Sequence, residues 1–240
     1  MKNKFWIVDM PKYSMIIFIV LNIIAMLLYP GSNLHNKILI GAENSQVGYS
    51  FFDNFFSDLG RYKVYSNESN LVSCLLFNTS LCVVGFCFVM LFYKIKDVFA
   101  GRKKLSLFAS LLGILSGLSY IGVAFTPADL FLDLNDRPWM HIFFAHRIFE
   151  FLSIASILCA ILIVKTKNFD NKYAYGFIMN GIMVGVYVLL SQYVFKDPLD
   201  NPEFLRPHVI AQKMIAFWIL ISIYLYSLGL NNYLKEKLTN

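Results

Sequence analysis

The chain is 240 residues long, carries a net charge of +6, and is 58% hydrophobic but only 15% charged. Soluble domains run at roughly 45–50% apolar and about 25% charged, so this composition excludes a soluble enzyme. The positive balance, spread along an apolar chain, is not the footprint of a nucleic-acid-binding protein.

A helical span needs about 20 mostly apolar residues to cross a hydrocarbon core ~30 Å thick. Six runs qualify: 13–29, 71–93, 105–125, 139–164, 174–194 and 209–233. They fill residues 1–240 as a single transmembrane domain and predict an all-α, multi-pass bundle.

The first run follows lysines, as a signal peptide does, but Tyr29-Pro30-Gly31-Ser32 offers no small-residue cleavage site, so it reads as an uncleaved anchor. The long connection 30–70 comes next. In it Phe51, Phe52, Phe55, Phe56 and Leu59 recur at helical spacing, with Asp53, Asn54, Ser57 and Asp58 opposite. This pattern predicts an amphipathic helix lying at the interface and ended by a Gly60 cap. An ordered lid over the bundle is the alternative. His35 stands in the same loop with no acidic neighbour at ligand spacing, and Asn67-Glu68-Ser69 forms a glycosylation sequon.

The second run carries Asn78 and Thr79, and Cys74, Cys82, Cys87 and Cys159 all fall inside runs without metal-type spacing. In the third, Ala109, Gly113 and Gly117 make a small-residue row that permits close backbone approach. Packing within the chain is its commoner use, and a homodimer through Gly113 and Gly117 the other. Gly181 and Gly185 repeat the device in the fifth run.

The fourth run holds the costly residues His141, His146, Arg147 and Glu150. A charge at the centre of a span costs roughly 2.5–3.5 kcal/mol on insertion scales, so such groups mark a polar site within the bundle. Entering at Trp139, the helix reaches Glu150 after roughly 16 Å at 1.5 Å per residue, near the bilayer midplane. His146 and Arg147 lie four and three residues before Glu150 and share a face with it. The sixth run adds His208, Gln212 and Lys213.

Basic residues flanking the runs set the orientation. Lys and Arg number 13 at the two termini and in the second and fourth connections, against 6 in the other three. Both termini are therefore expected in the cytoplasm of a cell whose plasma membrane holds the protein. The basic rim then faces anionic inner-leaflet lipids, and the intramembrane polar groups collect in the outer half as a crevice open to the non-cytoplasmic side.

The candidate ligand-binding set is Ser57, Asp58, Glu68, Asn78, His141, His146, Arg147, Glu150, His208, Gln212 and Lys213. Zinc would draw on His141, His146, His208, Asp58 and Asp129, but the spacing of His141 and His146 breaks the two-histidine face of a helical zinc site, and no cofactor is expected. The leading functional reading is non-enzymatic binding of a lipid headgroup or small polar ligand, by a sensor or organiser. A metal-dependent lipid hydrolase and a proton-coupled or ion-conducting carrier using His146 and Glu150 are the alternatives.

The sequence Phe56-Ser57-Asp58-Leu59-Gly60, the Asn78 segment, Pro127 and His141 together resemble a family of prokaryotic six-helix membrane proteins catalogued as domain of unknown function nine hundred and ninety-eight. They are more distantly similar to the damage-regulated autophagy modulator group. The resemblance implies a six-helix fold, a Ser-Asp-x-Gly motif in the first outer loop (Ser57, Asp58, Gly60), an acid before the second span (Glu68), an Asn within it (Asn78) and a His opening the fourth (His141). Leu59 stands where the autophagy group has Thr, Ser66-Asn67 replaces its Pro-Pro, and the spacing from Ser57 to Glu68 is longer. The resemblance implies little biochemistry.

Overall fold

The computed structural model describes residues 4–34, 47–134, 137–198 and 200–239. His35 lies outside them. Six helices are long and apolar enough to cross a membrane: α1 (Met10–Leu27), α2 (Leu71–Val98), α3 (Lys103–Phe125), α4 (Trp139–Val164), α5 (Ala174–Tyr193) and α6 (Leu205–Thr239). The described residues form no β-strand, only isolated bridges. The chain is an all-helical, multi-pass membrane protein.

The first span begins at Phe5 rather than at 13, because a π-helical turn, Phe5–Asp9, runs into α1. Lys4 and Asp9 interrupt the apolar pattern in sequence, yet Ile7 and Val8 between them are buried in the main core. Pro11, which is buried, falls where this π turn passes into α1.

Each helix packs on the next in sequence, and α6 closes back onto α1, so the six form a ring. Six crossings place both termini at one end, called here the termini end. The connection between α1 and α2 lies at the other, the loop end.

Small residues set how closely the helices approach. A Cβ on Gly117 would lie 2.7 Å from the Gly85 carbonyl oxygen, and one on Gly113 would sit 2.0 Å from the Phe92 ring. The row that could have served a homodimer through Gly113 and Gly117 is thus occupied by α2 of the same chain. Gly181 does the same on α5, where Ser153 of α4 donates to its carbonyl at 2.9 Å. Further hydroxyls bridge the ring, as in Ser110 to the Phe92 carbonyl (2.6 Å), Ser116 to the Ile148 carbonyl (3.2 Å) and Ser222 to the Gly176 carbonyl (2.6 Å). With no water in hydrocarbon, such bonds between helices satisfy groups that would otherwise be stranded.

Toward the termini end the inside of the ring is filled. Phe88, Leu91, Phe92, Leu152, Cys159, Leu162, Ile163, Phe177, Tyr226 and Leu230 are all buried in one cluster. Asn180 is also buried there and donates to Ser156 at 2.8 Å.

Candidate functional site

The described part of the first loop folds into a plug over the loop end. Residues 51–54 turn, and Phe56–Gly60 make a single short 3-10 helix. The amphipathic interfacial helix expected over 51–59 does not form. Asn54 and Asp58, placed on its supposed wet face, are buried, whereas Phe51 and Phe52 are exposed. The backbone of this segment is held by side chains rather than by its own helical ladder. Gly60 is not a left-handed cap either. It lets the loop press onto α2, since a Cβ there would lie 2.7 Å from the Phe77 ring.

Asp58 organises the plug. Its carboxylate accepts from the Phe55 backbone N–H (2.9 Å), the Asn54 amide (3.1 Å) and the Tyr65 hydroxyl (3.0 Å). Only 2% of the residue is exposed. Burial pushes this carboxyl above its ordinary pKa, while nearby Arg61 and those three donors pull it down. Burial also raises the hydroxyls of Tyr65, Tyr49 and Tyr29, with the Asp58 charge adding to each.

Three helices or connections then clamp the plug. From α2 and its N-cap, the Asn70 amide donates to the Leu59 (3.1 Å) and Arg61 (2.9 Å) carbonyls, and Asn78 to that of Gly60 (3.4 Å). From the α3–α4 connection, Asp129 accepts from the Tyr62 (3.0 Å) and Lys63 (2.8 Å) N–H groups. From α6, Gln212 accepts from the Phe56 N–H (2.8 Å), Arg206 pairs with Asp53 (2.7 Å), and Lys213 donates to the Asn54 carbonyl (2.5 Å). Lys213 does not snorkel outward. It is 7% exposed, and its ammonium sits 5.0–5.5 Å from the ring centres of Phe51, Phe56 and Tyr49, an aromatic cage that compensates a desolvated cation.

Beneath the plug lie two cavities. The upper, or vestibule, has a volume of about 360 Å³; polar groups such as Ser57, Asp58, Arg61, His141, His146 and His208 share its wall with apolar ones such as Leu34, Phe55, Leu132, Ile142, Phe149 and Phe195. The lower chamber, about 100 Å³, is bounded by Phe18, Phe77, Leu81, Val84, Tyr120, Val123, Ile148, Ile215, Ala216, Ile219 and Leu220, from five of the six helices. Ser57, His141, Ala145, Phe149 and Gln212 line both. A cavity of mixed wall, carrying the polar groups, therefore adjoins an almost wholly apolar one.

Most of the ionisable or polar groups around the vestibule already have partners. His141, 8% exposed, places Nδ1 2.7 Å from the Thr126 carbonyl. A carbonyl only accepts, so that nitrogen carries the proton, and in the neutral ring the lone pair lies on Nε2. His208 meets the Tyr187 hydroxyl (3.2 Å) and the Lys196 carbonyl (3.3 Å). Arg61 donates to the Ala128 and Lys63 carbonyls at 3.1 Å each and stacks on Tyr65, 4.1 Å from the ring centre. Asp197 pairs with Arg137 at 3.3 Å.

Of the sequence-derived set, Ser57, Asp58, His141, His146, His208 and Gln212 come together at the vestibule. Asn78 and Lys213 instead hold the plug. Glu68 is exposed and contacts Ser66 at 3.5 Å, away from the cavity. Arg147 and Glu150 form a two-pronged pair, 2.7 and 3.0 Å, on the flank of α4. Their side chains are 38% and 25% exposed, so the expectation that the pair is enclosed by the bundle does not hold. Glu150 borders a small gap against Tyr187, Val188 and Ser191 of α5.

The zinc set does not assemble. Among the described residues no three His, Cys, Asp or Glu side chains come together to hold an ion, and Asp129 is engaged with the plug backbone. Arg61, Tyr65, Tyr187 and Asp197 were absent from the sequence-derived set. Arg61 directly follows the Ser57–Gly60 segment and Tyr187 lies one turn before Ser191, which are the only signals the sequence offers. No family model, characterised protein or solved structure matches the chain.

Proposed function

We propose that the chain is an integral membrane protein that binds an amphiphile, with its polar head in the vestibule and an apolar chain in the chamber below, acting as a lipid sensor or organiser rather than as an enzyme. The observation that carries this reading is the shared wall of Ser57, His141, Ala145, Phe149 and Gln212 between the mixed and apolar cavities. Pockets that bind small ligands are largely apolar with a few placed polar groups. Each methylene moved from water into such a chamber gains about 0.8 kcal/mol.

In the proposed orientation both termini face the cytoplasm, the vestibule faces the other side of the plasma membrane, and the basic rim meets anionic inner-leaflet lipids. The 13-to-6 asymmetry in Lys and Arg supports it. The likeness to the nine-hundred-and-ninety-eight family belongs to the same proposal. Ser57, Asp58 and His141 of its motif border the vestibule, and Gly60 and Asn78 dock the plug, while Glu68 stands apart. A carrier would need a route through the termini end, where large buried side chains fill the ring. A metal hydrolase would need a ligand cluster that the described residues do not form.

Ala145→Trp tests the reading, because Ala145 lines both cavities and the added ring takes up space in them. In native mass spectrometry of the purified protein, the parent is expected to retain lipid that the variant loses at an unchanged thermal midpoint. Equal lipid retention in a folded variant contradicts the proposal.

A further inference from the structure

Resting on that reading, we infer that the head held in the vestibule is uncharged and presents a hydroxyl beside a carbonyl or ether oxygen, as acylglycerols do. The charges in the wall are already compensated. Asp58 has three donors with Arg61 nearby, Asp197 has Arg137, and Arg61 is committed to two carbonyls and to the Tyr65 ring. A charged head desolvated here would find no free counter-charge, and burying an uncompensated charge is among the costliest things a protein site can do.

Vestibule side chains with unused hydrogen-bonding groups are Ser57, Gln212 and His141, at the junction of the two cavities, and His146, which lines the vestibule alone. The Ser57 hydroxyl has no hydrogen bond. Gln212 uses its oxygen for Phe56 N–H and keeps its amide N–H groups. His141 uses Nδ1 for the Thr126 carbonyl and keeps the Nε2 lone pair. The junction thus offers two donors and one acceptor, all bordering both spaces, with the His146 ring beside them in the vestibule. A hydroxyl on the ligand donates to His141 Nε2, while a neighbouring ester or ether oxygen accepts from Ser57 and Gln212. That pairing falls where a polar head meets its chain. A site built from neutral donors and acceptors rejects a ligand that leaves them unpaired.

The test uses the full chain in phosphatidylcholine nanodiscs supplied with equal amounts of 1-monooleoylglycerol and dioleoylphosphatidylglycerol, with bound lipid read by native mass spectrometry. The monoacylglycerol is expected to be retained at least tenfold over the anionic lipid. Ser57→Ala should cut its retention about fivefold at an unchanged thermal midpoint, and Gln212→Glu, which keeps the acceptor for Phe56 N–H but loses the donor and adds a charge, should cut it at least as much. Preferential retention of phosphatidylglycerol, lost in Arg61→Gln, overturns the neutral head while leaving lipid binding intact. So does equal retention of all lipids, or indifference to both variants, provided that Ala145→Trp still abolishes retention. Retention that does not respond to Ala145→Trp overturns the underlying reading itself.

Discussion

At the termini end, Phe88, Phe92, Leu152, Phe177 and Tyr226 fill the inside of the ring. At the loop end the same helices contribute Ala145, Ala216 and Gln212, and the space between them stays open. Both halves hold large apolar side chains, and the polar groups collect at the loop end. The difference is that buried side chains meet at the termini end and leave two cavities at the loop end. A packed half needs nothing beyond its own helices, whereas the hollow half is roofed by a loop held in place by Asp58, Asn70, Gln212 and Lys213. Rigid scaffold at one end and a side-chain-fastened roof at the other is an arrangement suited to holding a guest.

The sharpest contrast comes from truncating one half and filling the other. Phe92→Ala removes a fully buried ring that also seats Gly113, and should cost about 3–5 kcal/mol, a large drop in thermal midpoint in detergent. Ala145→Trp should leave that midpoint near the parent value. Similar losses in the two variants would erase the distinction between a full and a hollow half.

The roof is next. Asp58→Leu strands the Phe55 N–H, the Asn54 amide and the Tyr65 hydroxyl, each left unsatisfied at about 1–3 kcal/mol. Asp58→Asn should be mild, because its oxygen can serve the first two donors and its NH₂ can donate to a reoriented Tyr65 hydroxyl. The pH dependence carries a definite sign. Burial raises the Asp58 carboxyl, so the folded state holds that proton more tightly than the unfolded chain does. The associated stability is fully present below the ordinary carboxylate value and is lost as pH rises through the raised one. Midpoints recorded from about pH 4 to about pH 8 should fall in the parent relative to Asp58→Asn. An opposite slope would mean that the three donors and Arg61 outweigh burial.

The smallest effect is expected on the flank of α4. Arg147→Leu or Glu150→Leu alone should cost about 2.5–3.5 kcal/mol, the order of a lone charge left near the centre of a span. The double variant should lie within about 1 kcal/mol of the parent, since it strands no charge. Single variants as stable as the double would show that the pair contributes nothing.

The sequence made the bundle readable because 20-residue apolar runs have few alternatives in a membrane. The bounds of α4 follow directly from it, and the start of the first span missed only because Lys4 and Asp9 mask a buried Ile7-Val8. The loop misled for a physical reason. Phe51 to Leu59 has helical periodicity, but Asn54 and Asp58 find fixed partners in Ser32, Phe55 and Tyr65, and these local bonds compete successfully with a helix. The vestibule draws His141, His146, His208 and Gln212 from the spans and Ser57 and Asp58 from the loop. Depth along a span carries no information about azimuth. Arg147 and Glu150 sit at the expected level yet point to the flank, while Tyr187 and Asp197 complete the vestibule from positions with no motif.

A structure of the purified protein in lipid nanodiscs tests the central claim most directly. One elongated density is expected, running from the vestibule, past Ser57, His141, Ala145 and Gln212, into the apolar chamber. Separate, water-sized peaks confined to the vestibule, with Phe149 or Phe77 collapsed into the chamber, would contradict it.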